Sequence, residues 1–369
     1  MNESLCSYPW IAAAIRPNGL VIPCCRYPHI DEKESHVDNT KVRNTPHWID
    51  LRDSMLKGEK INACRGCYQD EANGLKSMRQ FSLGKHVPTS NTITPIRQLE
   101  VSFSNLCNLA CAHCSSFFST KWYSEDVKAG RKSKSGILEN NFNFDLWDLS
   151  ELNELKIIGG EPFMEQEQFI SLLKRLDLSK ITLQICTNGT MLPNNELKEL
   201  IEQCRVVYLQ LSLDGLGTTN DWFRWPSKFD DVNDVMLQYQ QWWKDHTNIK
   251  LSVHHVVNVI NVLELTDFID YMKSNFSNWA IEWDWLRNPD WQRISILPNE
   301  IKTELCNKFE QEAKVFHSDK IPNPYNVTIQ RMNETNDLSF ETVEKNVNAM
   351  SVERNLDYKN MLPLYKKKK

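Results

Sequence analysis

From residue 96 onward, short stretches of alternating apolar and polar residues are each followed by a segment with apolar residues at helical spacing. The short stretches predict six strands, at residues 96–103, 152–160, 181–189, 206–215, 249–258 and 280–286. The helical patterns are clearest at residues 165–176, 194–204, 232–243 and 265–273. Regular strand–helix alternation predicts an α/β fold with a parallel sheet and right-handed crossovers. Six such units predict a partial (βα)6 barrel rather than the closed eight-unit barrel.

In several predicted strands the polar residues occupy every second position and therefore lie on one face of the strand. These residues are Glu100, Ser102 and Ser104; Thr182, Gln184 and Cys186; Gln210, Ser212 and Asp214; Ser252, His254 and Asn258; and Glu282 and Asp284. In a closed eight-stranded barrel the interior is filled by branched apolar side chains. A polar inner face instead predicts a cavity that holds a polar ligand and water. The alternative, that this strand face is turned to solvent, is disfavoured because helices are expected to cover the outer face.

The two ends of the chain differ from this region. Residues 1–95 contain short segments, turn signals and five cysteines, and end in a connector rich in Pro, Ser and Thr. We expect a separate small domain there, followed by the barrel at residues 96–295. Residues 296–369 are predicted to form a C-terminal helical segment and a basic tail, with residues 330–369 mostly solvated.

Composition and charge narrow the class of protein. The chain has 369 residues with 41% hydrophobic content, enough for one large and one smaller core. A formal net charge of −5 argues against a surface built mainly to bind nucleic acid. No apolar run has the length of a signal sequence or a membrane span, so we expect a cytoplasmic protein without a membrane partner. Eleven cysteines in that compartment are expected to be reduced and, where clustered, to bind metal or carry redox chemistry.

Three of these cysteines, Cys107, Cys111 and Cys114, directly follow the first predicted strand. They are therefore expected at the carboxyl-terminal mouth of the barrel, where such folds keep their chemistry. Three thiolates can bind three irons of a 4Fe-4S cluster and leave the fourth iron open, whereas electron-transfer clusters usually have four cysteine ligands. A Cys3His zinc site that uses His113 is the alternative, although His113 is adjacent to Cys114 and is poorly placed to reach the same metal.

The C-x3-C-x2-C spacing after a first strand resembles the signature of the radical S-adenosylmethionine (radical SAM) enzymes, over about residues 96–290. Three further motifs occur in order at strand ends: GGEP at 159–162, TNG at 187–189 and SLDG at 212–215, with Arg224 twelve residues after Ser212. The resemblance implies contacts to the methionine amino group, the ribose and the carboxylate of the cofactor, and an aromatic packing role for the residue before the third cysteine. The cofactor-binding residues so implied are His113, Gly159, Gly160, Glu161, Pro162, Thr187, Asn188, Ser212, Asp214 and Arg224.

The resemblance also implies an activity. A reduced 4Fe-4S cluster would cleave S-adenosylmethionine to methionine and a 5′-deoxyadenosyl radical, which abstracts a hydrogen atom from a substrate. A reductant such as flavodoxin or ferredoxin is implied as a partner. The protein's own share would be to place the substrate and to exclude water.

The N-terminal cysteines form a second pattern. Two apolar stretches joined at Pro17-Asn18-Gly19 predict a hairpin that brings Cys6 and Cys24 together. With Cys64 and Cys67 the spacing resembles the first half of the SPASM/twitch auxiliary-cluster motif, placed before the barrel rather than after it. The next cysteine of that motif is replaced by Asn73. The resemblance implies one auxiliary 4Fe-4S cluster, and a Zn(Cys)4 site is the alternative; Cys25 could replace Cys24 or remain free.

Four further residues are candidates for chemistry on the substrate. The thiol of Cys186 could face the cavity and donate a hydrogen atom, although a small packed cysteine is more common. His254, Glu282 and Asp284 lie on predicted inner positions and could bind or deprotonate a substrate, although core histidines are often only structural.

The sequence alone does not identify the substrate. The twitch-like motif favours modification of a peptide, although no leader-binding domain precedes the barrel in this chain. The alternative is a nucleoside, nucleotide, sugar or nucleic-acid base held in the polar cavity. A remote alternative is a zinc-stabilised binding module without catalytic activity.

Overall fold

The computed structural model describes residues 3–28, 41–72, 74, 76–131, 136, 138, 143–318 and 321–356. The chain divides into two compact units. The first unit comprises residues 1–107, 116–186 and 193–208, and the second comprises residues 108–115, 187–192 and 209–369.

The first unit is built on a sheet whose strands are β1 (Ala12–Ile15), β2 (Val21–Ile22), β3 (Gln98–Ser102), β4 (Glu154–Ile158) and β5 (Thr182–Thr187). Their order is β2-β1-β3-β4-β5. Only the β1–β2 pair is antiparallel; β1, β3, β4 and β5 pair in parallel. Burial alternates along β4 and β5, so that every second residue packs into the core.

The predicted N-terminal hairpin is confirmed. The N–H of Arg16 donates to the carbonyl of Leu20 at 2.8 Å, and Gly19 takes a φ of +80° in the turn. The hairpin also extends the sheet, because β1 pairs with β3 in the register Ala12 to Gln98 and Ala14 to Glu100. That pairing joins residues far apart in sequence, and the hydrophobic pattern alone did not predict it.

The helices of the first unit are α1 (Tyr8–Ile11), α2 (Pro46–Lys57), α3 (Arg65–Ala72), α4 (Met78–Leu83), α5 (Thr120–Lys128), α6 (Gln166–Leu173) and α7 (Asn195–Glu202). Helices α6 and α7 confirm two of the predicted helical patterns. Helix α5 was not predicted, and none of its residues is fully buried. Single 3-10 turns lie at Val42–Asn44, Asn62–Cys64, Phe144–Leu146, Pro162–Met164 and Leu178–Lys180.

Strand β6 (Val206–Ser212) begins in the first unit, where the N–H of Val206 donates to the carbonyl of Ile181 at 3.3 Å. Its end belongs to the second unit, where the next residue, Leu213, donates to the carbonyl of His254 at 3.1 Å. The second unit adds β7 (Ile249–Val257) and β8 (Ala280–Trp285), which pair in parallel. All six strands predicted after residue 96 are present, and the α/β class with a parallel sheet is confirmed.

The helices of the second unit are α8 (Gly217–Phe223), α9 (Phe229–Trp242), α10 (Leu265–Asn275), α11 (Asn299–Val315), α12 (Tyr325–Met332) and α13 (Phe340–Glu353). Single 3-10 turns lie at Val262–Glu264, Asp290–Gln292 and Ile294–Ile296. Helices α9 and α10 confirm the other two predicted helical patterns.

The expectation of a mostly solvated segment from residue 330 is wrong as far as residue 356. Helix α13 buries Val343 and Val347, one helical turn apart, in the core of the second unit. The indole N–H of Trp222 donates to the hydroxyl of Ser351 at 2.8 Å. The buried face of α13 was not predicted because most of the residues in this segment are polar. The basic tail, Lys366 to Lys369, lies outside the described residues, as does Asn73.

No helix within the described ranges is long and apolar enough to cross a membrane.

Candidate functional site

The GGEP motif lies against the segment that leads into the three-cysteine loop. The N–H of Glu161 donates to the carbonyl of Leu106, directly before Cys107, at 2.7 Å. A Cβ atom on Gly160 would lie 2.1 Å from that carbonyl oxygen, and Gly159 has a φ of +125°. Both positions therefore require glycine, and the motif is held against residues 104–106 by its backbone.

Glu161 itself is buried, and its Oε1 accepts the N–H of Phe163 at 3.1 Å. The carboxylate thus caps the 3-10 turn that begins at Pro162. On the other side of the loop, the N–H of Cys107 donates to the hydroxyl oxygen of Thr120 at 3.2 Å, and that hydroxyl donates back to the carbonyl of Cys107 at 3.1 Å. The backbone of the first cysteine is fixed from both sides.

The TNG motif contacts the next part of the loop through side-chain amides. Asn188 donates from Nδ2 to Oδ1 of Asn108 at 2.8 Å, and Asn108 donates to the hydroxyl of Thr190 at 2.9 Å. The same hydroxyl donates to Oδ1 of Asn188 at 2.7 Å, which closes the ring of bonds. Gly189 turns the chain with a φ of +73°, and the N–H of Gly189 donates to the hydroxyl oxygen of Thr187 at 3.2 Å.

The SLDG motif contributes a buried ion pair. The carboxylate of Asp214 is fully buried and lies 2.7 Å from the guanidinium of Arg224, which is also buried. Although burial by itself raises the pKa of Asp214, the guanidinium of Arg224 holds that pKa below its usual value. Nη1 of Arg224 lies 3.8 Å from the sulfur of Cys111. The predicted cofactor ligand Arg224 is thus held by Asp214 and placed beside a loop cysteine, while Ser212 is half-buried at the start of the motif.

The backbone of the loop is clamped by the segment after α8. The N–H groups of Ala110 and Ala112 donate to the carbonyls of Trp225 and Phe223, each at 2.7 Å. The carbonyl of Ala110 also accepts from Nη2 of Arg354 at 2.7 Å. The guanidinium of Arg354 lies 5.2 Å from the centre of the Trp225 ring. Arg354 was not singled out from the sequence, since a contact between residues 244 positions apart leaves no local signal.

His113 stacks on Phe223 with ring centres 5.0 Å apart. Burial lowers the pKa of His113 to about 4, so the imidazole is neutral at pH 7. A neutral, stacked imidazole is compatible with the aromatic packing role that the resemblance implied.

Burial holds two of the loop thiols, those of Cys111 and Cys114, in their protonated form. Burial raises the pKa of Cys114 to about 12, and the neighbouring Cys111 adds to the effect. Burial also raises the pKa of Cys111, against the opposing influence of Arg224. Thiolate ligands at these positions therefore need the positive charge of bound metal to form. Within the part of the chain that is described, no three Cys, His, Asp or Glu side chains are arranged to hold a single metal ion.

The N-terminal cysteines gather in the first unit. Cys6, Cys24 and Cys64 pack in one cluster of side chains. Burial raises the pKa of Cys64 to about 12, and its neighbours Cys6 and Cys67 raise it further. Burial likewise raises the pKa of Cys6 to about 11, and Cys67 is again among the neighbours that raise it. Cys67 lies near enough to affect the pKa of both Cys6 and Cys64. Four thiols are the donor set of either a 4Fe-4S cluster or a zinc site, and their assignment as ligands stays a prediction.

The sequence left open whether Cys24 or Cys25 is the cluster ligand, and the two side chains have different neighbours. Its sulfur lies 3.9 Å from the sulfur of Met78. Burial raises the pKa of Cys25 to about 11; Glu100 raises it further and Lys156 opposes it. Both Cys24 and Cys25 line a pocket with Glu100 and Lys156, but of the two only Cys24 also packs with Cys6 and Cys64.

We expect Cys24→Ser to remove the N-terminal cluster and Cys25→Ser to leave it intact. The reason is that only the first thiol packs with Cys6 and Cys64. Iron content and the electron paramagnetic resonance spectrum of the reduced protein measure the difference, in a background that lacks Cys107, Cys111 and Cys114. Equal loss of iron in both single variants would contradict the assignment of Cys24.

The polar strand face predicted from the sequence is present in both units. In the first unit Glu100, Thr182 and Gln184 line a common pocket, and the thiol of Cys186 lies close enough to raise the pKa of the nearby Lys156. In the second unit Glu282 accepts from the hydroxyl of Ser252 at 2.9 Å and from the side-chain amide of Gln210.

Of the three substrate-contact candidates on β7 and β8, His254, Glu282 and Asp284, only Glu282 takes part in these hydrogen bonds. His254 is half-buried, and its register partner on β8 is Glu282. Asp284 is exposed, and Oδ1 of Asp284 accepts from the N–H of Trp285.

Sequence reasoning passed over His255, which the structure buries. Its Nδ1 lies 2.9 Å from the carbonyl of Leu213, and its ring packs on Phe268 and Trp283. Burial lowers the pKa of His255 to about 4, in spite of the opposing influence of Asp214. An unfolded histidine titrates near 6.5, so the unfolded chain binds more protons between these two values.

Stability is therefore expected to fall as the pH drops from about 6.5 toward 4, because protonation then favours the unfolded chain. The loss assigned to His255 is about 2 kcal/mol at pH 5. Urea unfolding at pH 7 and pH 5 measures it: His255→Gln should flatten the pH dependence, whereas His317→Gln, at an exposed position, should not. An unchanged pH dependence in His255→Gln would refute the buried neutral state.

Comparison with known proteins adds an independent observation. Residues 96–215 match the family described as "4Fe-4S single cluster domain". Over 118 residues the chain is 30% identical to the pre-heme d1 synthase of Dinoroseobacter shibae, a match that covers 32% of this chain and 27% of that protein. The chain thus aligns with about a quarter of the length of that curated relative.

Among solved structures, anSMEcpe with bound AdoMet is similar with a TM-score of 0.43 and 16% identity, over 60% of this chain and 59% of that chain. SuiB of Streptococcus suis bound to S-adenosylmethionine is similar with a TM-score of 0.38 and 17% identity, over 77% of this chain and 64% of that chain.

Proposed function

We infer that this chain is a radical SAM enzyme, since residues 96–215 match a 4Fe-4S cluster family and the C-x3-C-x2-C, GGEP, TNG and SLDG motifs follow in order within them. The observation that carries the inference is that each later motif contacts the cysteine segment: GGEP at Leu106, TNG at Asn108 and SLDG, through Arg224, at Cys111. A chain whose motifs matched by chance would have no reason to bring three strand ends to one short segment.

We propose Cys107, Cys111 and Cys114 as the ligands of the catalytic 4Fe-4S cluster, and Cys6, Cys24, Cys64 and Cys67 as the ligands of one auxiliary cluster. When bound, the catalytic cluster with S-adenosylmethionine supplies a 5′-deoxyadenosyl radical that takes a hydrogen atom from the substrate. A flavodoxin or ferredoxin is the proposed electron donor.

The chain's own residues supply position and shielding. The glycines at 159 and 160 fix the backbone ahead of Cys107, and Asp214 holds Arg224, whose positive charge lies beside Cys111. That charge favours ionisation of the thiol, so Arg224 helps to hold a thiolate ligand. Gly159 to Pro162, Thr187, Asn188, Ser212 and His113 stay proposed contacts of the cofactor.

We propose a peptide as the substrate, because the auxiliary-cluster spacing and the Ser212–Arg224 spacing resemble the peptide-maturing branch of these enzymes. His254, Glu282, Asp284 and Cys186 stay candidates for contact with the substrate. Of these, Glu282 and Cys186 have polar partners on the strand faces, with Ser252 and Lys156 respectively.

The reaction class is tested by anaerobic reconstitution. The protein should be brown, contain about eight irons per chain by the two-cluster count, and form 5′-deoxyadenosine from S-adenosylmethionine under reduction. A colourless protein with stoichiometric zinc and no cofactor cleavage would instead establish the zinc-stabilised binding module.

The substrate class is tested separately, by deuterium transfer into 5′-deoxyadenosine from deuterated peptides and, in parallel, from deuterated nucleosides. Label from peptides alone supports the proposal. Label from nucleosides alone would replace the peptide with the nucleoside-type substrate.

A further inference from the structure

A pocket of about 310 Å³ lies within the first unit, beside the Cys24–Cys25 turn. Its volume is at the lower end of the range for small-molecule sites. Ala12 and Ala14 on β1 lie in register with Gln98 and Glu100 on β3, and their methyl groups leave the space open. Gln98, Glu100 and Lys156 are among the polar residues that line the pocket, and neither Gln98 nor Lys156 belongs to a motif of the sequence.

The carboxamide of Gln98 is fixed in one orientation. Its Nε2 donates to Oε2 of Glu154 at 2.7 Å, and both oxygens of Glu154 also accept from Nζ of Lys85, at 2.7 and 2.6 Å. The amide group of Gln98 is therefore committed to Glu154, and its oxygen Oε1 points away. Oε1 is buried without a hydrogen-bond partner, and the residue as a whole is 8% exposed. A buried acceptor without a partner destabilises the folded chain unless a donor reaches it.

Glu100 presents a second acceptor two residues further along β3. Its oxygens lie 4.0 Å from Nη1 of Arg16 and 3.7 Å from Nζ of Lys156, beyond hydrogen-bond distance. Oε1 of Glu100 is buried without a hydrogen bond. Lys156 has three N–H donors and a side chain that is 35% exposed; its Nζ lies 3.7 Å from the Glu100 carboxylate, and the thiol of Cys186 also lies near it.

These groups define the hydrogen bonds that a ligand must make. It must donate one hydrogen bond to Gln98 and one to Glu100, and it must accept one from Lys156. A primary carboxamide has two N–H donors on one nitrogen and a carbonyl acceptor. A carboxylate has no donor, an ammonium group has no acceptor, and a backbone peptide group has only one donor. The charged side chains that line the pocket are Lys85, Glu100, Glu154 and Lys156, and they sum to no net charge. A neutral ligand therefore fits without adding an uncompensated buried charge.

We propose that this pocket binds a primary carboxamide, with Gln98 and Glu100 accepting from its amide nitrogen and Lys156 donating to its carbonyl oxygen. In the proposed enzyme it receives an asparagine or glutamine side chain of the substrate, and that part of the assignment rests on the proposed function. Binding of the carboxamide itself does not.

The test uses the full-length protein with its clusters reconstituted and saturated with S-adenosylmethionine. Binding of acetyl-glutamine methylamide is compared, by titration calorimetry or saturation-transfer NMR, with binding of the matched acetyl-glutamate and acetyl-methionine methylamides. Free glutamine distinguishes a small carboxamide from one presented on a peptide. The glutamine probe is expected to bind at least about tenfold more tightly than the other two methylamides, a difference of about 1.4 kcal/mol.

Gln98→Leu and Lys156→Met should each remove that preference, because each deletes one hydrogen bond to the ligand. Gln203→Leu is the matched control, since the side chain of Gln203 is exposed and donates to the carbonyl of Glu199. Equal affinity for the three methylamides, or a preference that survives both pocket variants, would overturn the proposal.

Formation of 5′-deoxyadenosine is measured on the same samples, so that the two proposals fail separately. A glutamine preference without cofactor cleavage would retain the pocket and reject the enzyme. Cofactor cleavage without the preference would retain the enzyme and reject the pocket.

Discussion

Replacing Cys107, Cys111 and Cys114 together with alanine is expected to reduce 5′-deoxyadenosine formation to background, while about half of the iron remains bound. The physical reason is that the two proposed clusters draw on separate ligands. Cys6, Cys24 and Cys64 pack with residues such as Leu51 and Met55 in a cluster that includes none of the substituted cysteines. Iron analysis and the rate of cofactor cleavage under reduction are the two measurements.

The matched control for this variant is Cys204→Ala. Cys204 is buried after α7, its thiol donates to the carbonyl of Leu200 at 3.6 Å, and no motif includes it. This substitution should leave both the iron content and cofactor cleavage near those of the unaltered protein. If the triple variant still formed 5′-deoxyadenosine, or lost all of its iron, the assignment of separate catalytic and auxiliary ligand sets would be wrong.

Sequence patterns predicted the strands well because each strand carries its own signal. In β4 and β5 every second residue is buried, and this period of two is readable without any knowledge of neighbours. Helix α5, which packs no residue fully into a core, was not predicted. The pairing of β1 with β3 left no local signal, because a parallel register between distant segments is set by tertiary packing.

In the candidate site, too, the residues with a local sequence signal were predicted and those defined by tertiary contacts were not. The motif residues were found because their order and strand-end positions are local features, and their contacts with Leu106, Asn108 and Cys111 follow from that placement. His255 was passed over for His254, because neighbouring residues on a strand differ only in the face they occupy. Lys156 stands alone between apolar residues of β4, and only the register with Glu100 reveals its partner.

The second large effect is expected from Asp214→Ala, which should lower the free energy of unfolding by about 3–5 kcal/mol. In the native structure the carboxylate is fully buried, lies 2.7 Å from Nη2 of Arg224, and accepts from the N–H of Val256 at 3.0 Å. Its removal leaves a buried guanidinium without its counter-ion, and that uncompensated charge is the main cost. Urea unfolding at pH 7 measures the loss, and cofactor cleavage should fall with it, because Arg224 is no longer held beside Cys111.

Two comparisons separate this effect from a general loss of packing. Glu196→Ala breaks the exposed pair between Lys174 and Glu196, whose side chains are 57% and 55% exposed, and should cost less than about 1 kcal/mol. Asp214→Ala combined with Arg224→Met removes both buried charges and should recover much of the lost stability, since an apolar replacement of a buried pair is often nearly neutral. Cofactor cleavage should not recover in the double variant, because the charge beside Cys111 is still missing. A single Asp214→Ala variant as stable as Glu196→Ala would show that the pair does not stabilise the fold, and full cleavage activity in the double variant would show that Arg224 does not serve the cluster.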